Sequence, residues 1–203
     1  MVKRTSKPPS RSAALQALRQ KMGERPDLND SFKTIMGFKQ GMMHEGDPDR
    51  SIALLIGSIL ENALEAAILT HCIQMDNDEQ RRLFGNDPTQ TAMTFDVKIR
   101  IGYALGIYGA TSRSDLECLR TIRNLFAHAK TFVSFHTEEI LQACNHLNII
   151  DMIPWGGVMG KYPADPRQKF VESSLHYFIL FAVREDKSKP IRYLDNQLYA
   201  LYS

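Results

Sequence analysis

Between Ile52 and Cys72 the chain is apolar on most sides of a helix, and such a helix has to lie at the middle of whatever it folds into. Asp47 is placed to cap it, Pro48 suits its first turn, and Asp49 complements the positive end of its dipole. One stripe interrupts the apolar surface: Ser58, Glu61, Asn62 and Glu65, spaced i, i+3, i+4 and i+7. An unpaired buried carboxylate is costly, so the stripe must face water, a partner chain or a cation such as Arg123. The same polar residues break the apolar run, so no membrane span is expected, and no signal peptide is recognised.

The remaining elements fall around this helix. Leu15, Leu18 and Met22 recur at helical spacing over Ser12–Met22, and Ser31–Met43 is a weaker helix containing two glycines. Asp76–Glu79 breaks the chain and Asn86-Asp87-Pro88 makes a turn. Over Met93–Tyr108 the periodicity is ambiguous. Phe95, Val97, Ile99, Ile101 and Tyr103 alternate with polar residues like a strand. No second strand offers itself, and a lone strand cannot satisfy its backbone, so a helix is expected. Ser112 or Ser114 should cap the next helix. Thr131–Phe135 is a short β-prone linker, and Thr137, Glu138 and Glu139 open a helix through about Asn148. Trp155-Gly156-Gly157 and Gly160 lie in an irregular loop, with neither a preceding strand nor a Walker lysine to make it a phosphate cradle. Asp165 and Pro166 start a final long helix.

A length of 203 residues with 43% hydrophobic and 24% charged residues suits one compact domain with appendages. The predicted organisation is a basic arm over 1–25, a helical domain over 26–189, and an amphipathic tail over 190–203 with Ile191, Leu194, Leu198 and Leu201 at heptad-like spacing. The net charge of +2 is too small to declare a nucleic-acid binder. Its distribution is uneven: up to Arg25 seven basic residues face Glu24 alone, giving +6 there and −4 elsewhere. In that arm Lys3, Arg4, Lys7 and Arg11 are candidate contacts to a phosphate backbone, with a solvated tail as the plainer alternative. Three single cysteines, Cys72, Cys118 and Cys144, suit a reducing, cytoplasmic setting. His44, His71, His136, His146 and His176 are scattered without partners at metal-ligand spacing, so no metal site and no cofactor is predicted.

The most distinctive stretch runs from Leu119 to Lys130, centred on Arg123-Asn124-Leu125-Phe126-Ala127-His128. At about 100° per residue, Leu119, Ile122, Leu125 and Phe126 share a buried arc, while Glu117, Arg120, Thr121, Asn124 and His128 lie opposite. Asn124 and His128 are neighbours four apart. Arg123 projects roughly 140° from His128, at the edge of the apolar arc. It is placed to pair with an acid on an adjacent helix or to curl toward the histidine.

Together with Leu83-Phe84-Gly85, Phe95-Asp96-Val97-Lys98-Ile99, Tyr103-Ala104-Leu105-Gly106-Ile107 and Asp115-Leu116, this hexad resembles the mannitol-operon repressor family, which is placed with the HEPN (higher eukaryotes and prokaryotes nucleotide-binding) domains. The match covers roughly Arg50 to Leu141. The resemblance implies an all-α fold, a HEPN-like antiparallel helical bundle with additional N- and C-terminal helices. Active HEPN proteins are metal-independent ribonucleases whose dimers line one cleft with two copies of the motif helix. Carried over by position, His128 would be general acid or base, Arg123 would hold the scissile phosphate, and Asn124 would orient one of them. Glu61 or Glu65 is a candidate supporting acid for Arg123. The family is named for transcriptional repression, and no helix-turn-helix or zinc-finger pattern occurs here. Two functional readings follow beside a purely structural one: a non-catalytic dimeric regulator acting through a protein partner or weak RNA or DNA backbone contacts, and an endoribonuclease using Arg123 and His128.

Overall fold

The structure, a computed structural model, describes residues 48–84, 93–152 and 163–182, together with positions 13, 30, 31, 33 and 34. The predicted arm residues Lys3, Arg4, Lys7 and Arg11, the Asp47 cap, the turn at 86–88, the glycine loop around Trp155 and the 190–203 tail lie outside the described residues. Positions 30, 31, 33 and 34 are helical, as expected for the start of the weaker helix.

Elsewhere the described chain is all-helical. In order come α1 (Asp49–Leu69), α2 (Asn77–Phe84), α3 (Phe95–Ala104), α4 (Ala110–His128), α5 (Glu138–Asn145), α6 (Ile149–Met152) and α7 (Pro166–Ala182). Helix α1 is central and packs against α7, α4 and α3. Ile52, Ile56, Leu60, Leu64 and Ile68 recur every fourth residue and are buried, each contributing roughly 1.5–3 kcal/mol of transfer free energy. Ala53, Ala63 and Ala67 between them are buried too, and their small side chains allow neighbouring helices to approach. Although α1 is long and apolar enough to cross a bilayer, most of it is enclosed by the fold. Helix α7 closes the core with Phe170, Val171, Leu175, Tyr177, Phe178 and Phe181. Phe135, in the connector after α4, lies between Phe126 and Phe170, with ring centroids 4.9 and 5.3 Å away.

The ambiguous stretch is helical over Phe95–Ala104. Its apolar residues satisfy two periods at once, because Phe95, Ile99 and Gly102 also fall i, i+4, i+7. Thr94 caps it by accepting from the Val97 amide. At the other end the Gly106 and Ile107 amides donate to the carbonyls of Tyr103 and Gly102, a Schellman closure with Gly106 at φ 68°. Gly102 is fixed by packing: an added Cβ would lie 2.8 Å from the Tyr108 hydroxyl, which donates to the Ile99 carbonyl.

Several expectations are corrected. The Asp76–Glu79 break contains the start of α2, because Asp76 Oδ1 accepts from the amides of Asp78 and Glu79 and so caps a helix. Helix α4 begins at Ala110 with Gly109 at the N-cap, ahead of Ser112 and Ser114. The central helix ends at Leu69, short of Cys72, and α5 ends at Asn145, short of Asn148. Leu125 is 38% exposed instead of buried, since the flank of α4 that carries it is not covered by another described element.

Asp115 ties three helices together from the buried face of α4. Its Oδ1 accepts from the amide and side chain of Asn148, and its Oδ2 from the Ile149 amide and the Tyr177 hydroxyl. One carboxylate thereby caps α6 and joins α4 to α7. Replacing Asp115 with Ala removes the acceptor of the buried Ile149 amide and Tyr177 hydroxyl and is expected to destabilise the fold by roughly 3 kcal/mol or more, measured by urea unfolding. Burial also pushes the thiols up, Cys118 to about 11 and Cys144 to about 12, whereas Cys72 is exposed. Iodoacetamide at pH 8 should therefore alkylate Cys72 first, with Cys118 and Cys144 reacting only on unfolding, a sequence that peptide mass mapping checks.

Candidate functional site

The polar stripe of α1 meets two other helices. Lys98 of α3 is 5% exposed at its side chain, and its Nζ lies 2.9 Å from both Glu61 Oε1 and Glu65 Oε2. Arg123 of α4 approaches from the other side, with Nη2 3.9 Å from Glu61 Oε2 and Nη1 donating to Asn124 Oδ1 at 3.0 Å. Two carboxylates and two cations thus form a seam of zero formal charge among α1, α3 and α4. Beside it Asp96 takes Arg100 of its own helix at 2.9 Å and Arg120 of α4 at 3.3 Å.

The approach of Arg123 depends on Gly57. A Cβ at that position would lie 2.6 Å from Arg123 Cγ and 3.1 Å from its Cβ. The stem of the arginine therefore lies directly on the backbone of α1, and its guanidinium extends toward Glu61. The Glu61 contact is the longest ion pair of the seam, and Arg123 Nε is buried without a partner among the described residues. The guanidinium is positioned by packing and by Asn124 more than by charge.

His128 is placed differently. It is the last residue of α4, and its side chain is exposed. Among the described residues no hydrogen bond or ion pair joins it to Arg123. Arg50 fixes the backbone just beyond it, with Nη2 donating to the Ala129 carbonyl at 2.8 Å. The structure brings Glu61, Arg123 and Asn124 together, engages Glu65 with Lys98 instead of Arg123, and leaves the imidazole one turn away in solvent.

Lys98 is the residue that sequence reasoning missed. Alternation assigns it to the polar side of a strand, but on a helix it shares an arc with Phe95, Ile99 and Gly102. Once Met93–Tyr108 is taken as a helix, a lysine on the apolar arc facing two acids four apart on a central helix is the signal. Among the described residues, no group of three or more His, Cys, Asp and Glu side chains is arranged to hold a metal ion.

Gly57→Ala is expected to cost roughly 1–3 kcal/mol by forcing the Arg123 stem aside, and most of that loss should vanish in an Arg123→Ala background. Urea unfolding of the four proteins in the cycle measures the coupling, and additive losses would contradict the contact.

Comparison with protein-family models, with curated proteins and with solved structures gives no match in any of the three.

Proposed function

We propose that this chain is a HEPN-like helical regulator of the mannitol-operon repressor kind, a non-catalytic homodimer that acts in transcriptional control through a protein partner or weak nucleic-acid contacts. The observation that carries this reading is the commitment of Arg123 to the seam. An arginine whose stem packs on Gly57 and whose guanidinium bonds Asn124 and faces Glu61 is performing structural work, and among the described residues no hydrogen bond or ion pair joins it to the histidine that would share a scissile phosphate with it. Acid–base chemistry needs both groups within hydrogen-bond reach of one substrate.

The α1 and α4 surface supports the dimer. The two helices run antiparallel, since Arg50 meets Ala129 while Gly57 meets Arg123. At the same level of this pair Leu55 is 41% exposed and Leu125 is 38% exposed. Covering such side chains with a second copy is favourable at about 25 cal/mol per Å².

The ribonuclease reading retains one specific support, the exposed imidazole of His128 one turn from Asn124, which forms no hydrogen bond or ion pair among the described residues and is open to a second copy. Incubating labelled single-stranded RNA in EDTA with the parent, Arg123→Ala and His128→Ala separates the two. The regulator gives equal background from all three proteins. Cleavage by the parent alone establishes the enzyme and removes the non-catalytic reading. Analytical ultracentrifugation tests the dimer independently: Leu55→Glu with Leu125→Glu should yield monomer from a parent of twice the mass.

A further inference from the structure

The connector between α4 and α5 contains two phenylalanines three residues apart with opposite fates. Phe135 is fully buried between Phe126 and Phe170, whereas Phe132 is 92% exposed. The connector around Phe132 is tied down. Arg50 Nη2 holds the Ala129 carbonyl at 2.8 Å, Asp49 Oδ2 accepts the Phe135 amide at 2.8 Å, and Thr137 Oγ1 accepts the Ser134 amide at 3.0 Å. Asp49 is in turn held by Arg167 Nη1 at 3.3 Å. Consecutive residues at the start of α1 therefore clamp both ends of the segment, and the exposed phenyl projects from a fixed backbone.

The charged side chains tied to the first part of the connector are basic, whereas the acids of the connector's far end, Glu138 and Glu139, are exposed where α5 begins. Lys130 and Arg50 are exposed, His128 is exposed immediately before Ala129, and Asp49 is already occupied by Arg167. Phe132 is three positions beyond Ala129, so their Cα atoms are within about 11 Å of one another, and the Arg50 guanidinium bonded to the Ala129 carbonyl lies at the same end of the connector. Thr131, next to Phe132 in the chain, is exposed as well. A protein partner seeking apolar area would find one ring among charges. A lipid surface would find a single apolar side chain on a non-helical segment, a poor anchor. A flat exposed ring on a connector that also carries Lys130 and is held by Arg50 matches a ligand that alternates aromatic faces with negative charges.

We propose that this connector is a stacking platform for single-stranded nucleic acid, with Phe132 taking the face of one base and Lys130 and Arg50 the neighbouring phosphates. Base stacking on an aromatic side chain tolerates any sequence, and the cations add a salt-dependent component. The platform is separate from the Arg123 seam and needs neither the dimer nor cleavage, so its failure would leave the dimeric regulator acting through a protein partner standing.

The test uses full-length protein and fluorescein-labelled 20-nucleotide single strands of DNA and of RNA, followed by anisotropy in EDTA between 50 and 200 mM salt. Phe132→Ala removes a side chain that is 92% exposed among the described residues, and should weaken binding by about 5- to 100-fold without altering thermal unfolding. Phe132→Trp should restore binding, with quenching of the added indole when a base stacks. Lys130→Ala should reduce the magnitude of the slope of log K against log salt by about 0.7. A preference between the RNA and DNA arms identifies which strand the platform takes. Equal affinity of the parent and Phe132→Ala for both strands overturns the proposal. So does retention of the parent on anionic phospholipid vesicles without binding to either oligonucleotide.

Discussion

Two carboxylates on the central helix cannot stand alone, and the arrangement of α3 and α4 around α1 follows from that. Glu61 and Glu65 are four apart and therefore face one direction. Lys98 bridges them from α3, and Arg123 stands at the far oxygen of Glu61 from α4. Buried ion pairs add little stability relative to well-packed apolar residues, but breaking one costs roughly 3–5 kcal/mol. The consequence is register. Sliding α3 by one turn moves Lys98 by about 5.4 Å and leaves two acids unanswered. Gly57 belongs to the same constraint, because only a residue without Cβ lets the Arg123 stem lie against α1.

The helices were legible where one period dominates. The fourth-residue recurrence of Ile52, Ile56, Leu60, Leu64 and Ile68 admits little else than a central helix, and the structure agrees. Phe95–Ala104 was harder because strand and helix periods coincide there. The absence of a pairing strand, a property of the whole chain, favoured the helix. Around Asp76 the signal was present but misassigned: the same acidic and amide residues that make turns also make N-caps, and only the amides they face distinguish the two. Leu125 illustrates the opposite limit. A helical wheel places it toward the apolar arc, but burial requires a neighbour, and the wheel does not say which flank of α4 has one.

For the candidate site, the angular separation of Arg123 and His128 along an ideal helix starts them from different surroundings but leaves open whether the arginine pairs with an acid on a neighbouring helix or curls toward the histidine. The structure gives those surroundings content: one faces the α1 backbone and an acid, the other faces solvent. Which acid answers which cation was not legible. Glu61 and Glu65 are equivalent by spacing, and their division between Arg123 and Lys98 depends on how far along α1 each neighbouring helix docks. Lys98 was hidden for a related reason, since its face could be assigned only after the secondary structure of its segment had been decided.

The end of the bundle where α1 starts and α4 stops shows how order and exposure are separated. Asp49 and Arg50 are adjacent, yet Asp49 turns to the Phe135 amide and Arg167 while Arg50 turns to the Ala129 carbonyl. The backbone leaving α4 is thereby held at two points, although this segment has no helix of its own. Holding backbone through main-chain groups leaves side chains uncommitted, which is why His128, Lys130 and Phe132 are presented outward from a fixed frame. Arg123, by contrast, is held through its side chain and has little of it to offer. Groups available to an incoming partner are therefore concentrated from the last residue of α4 onward, and the α4 groups that keep the helices in register lie about one turn before it.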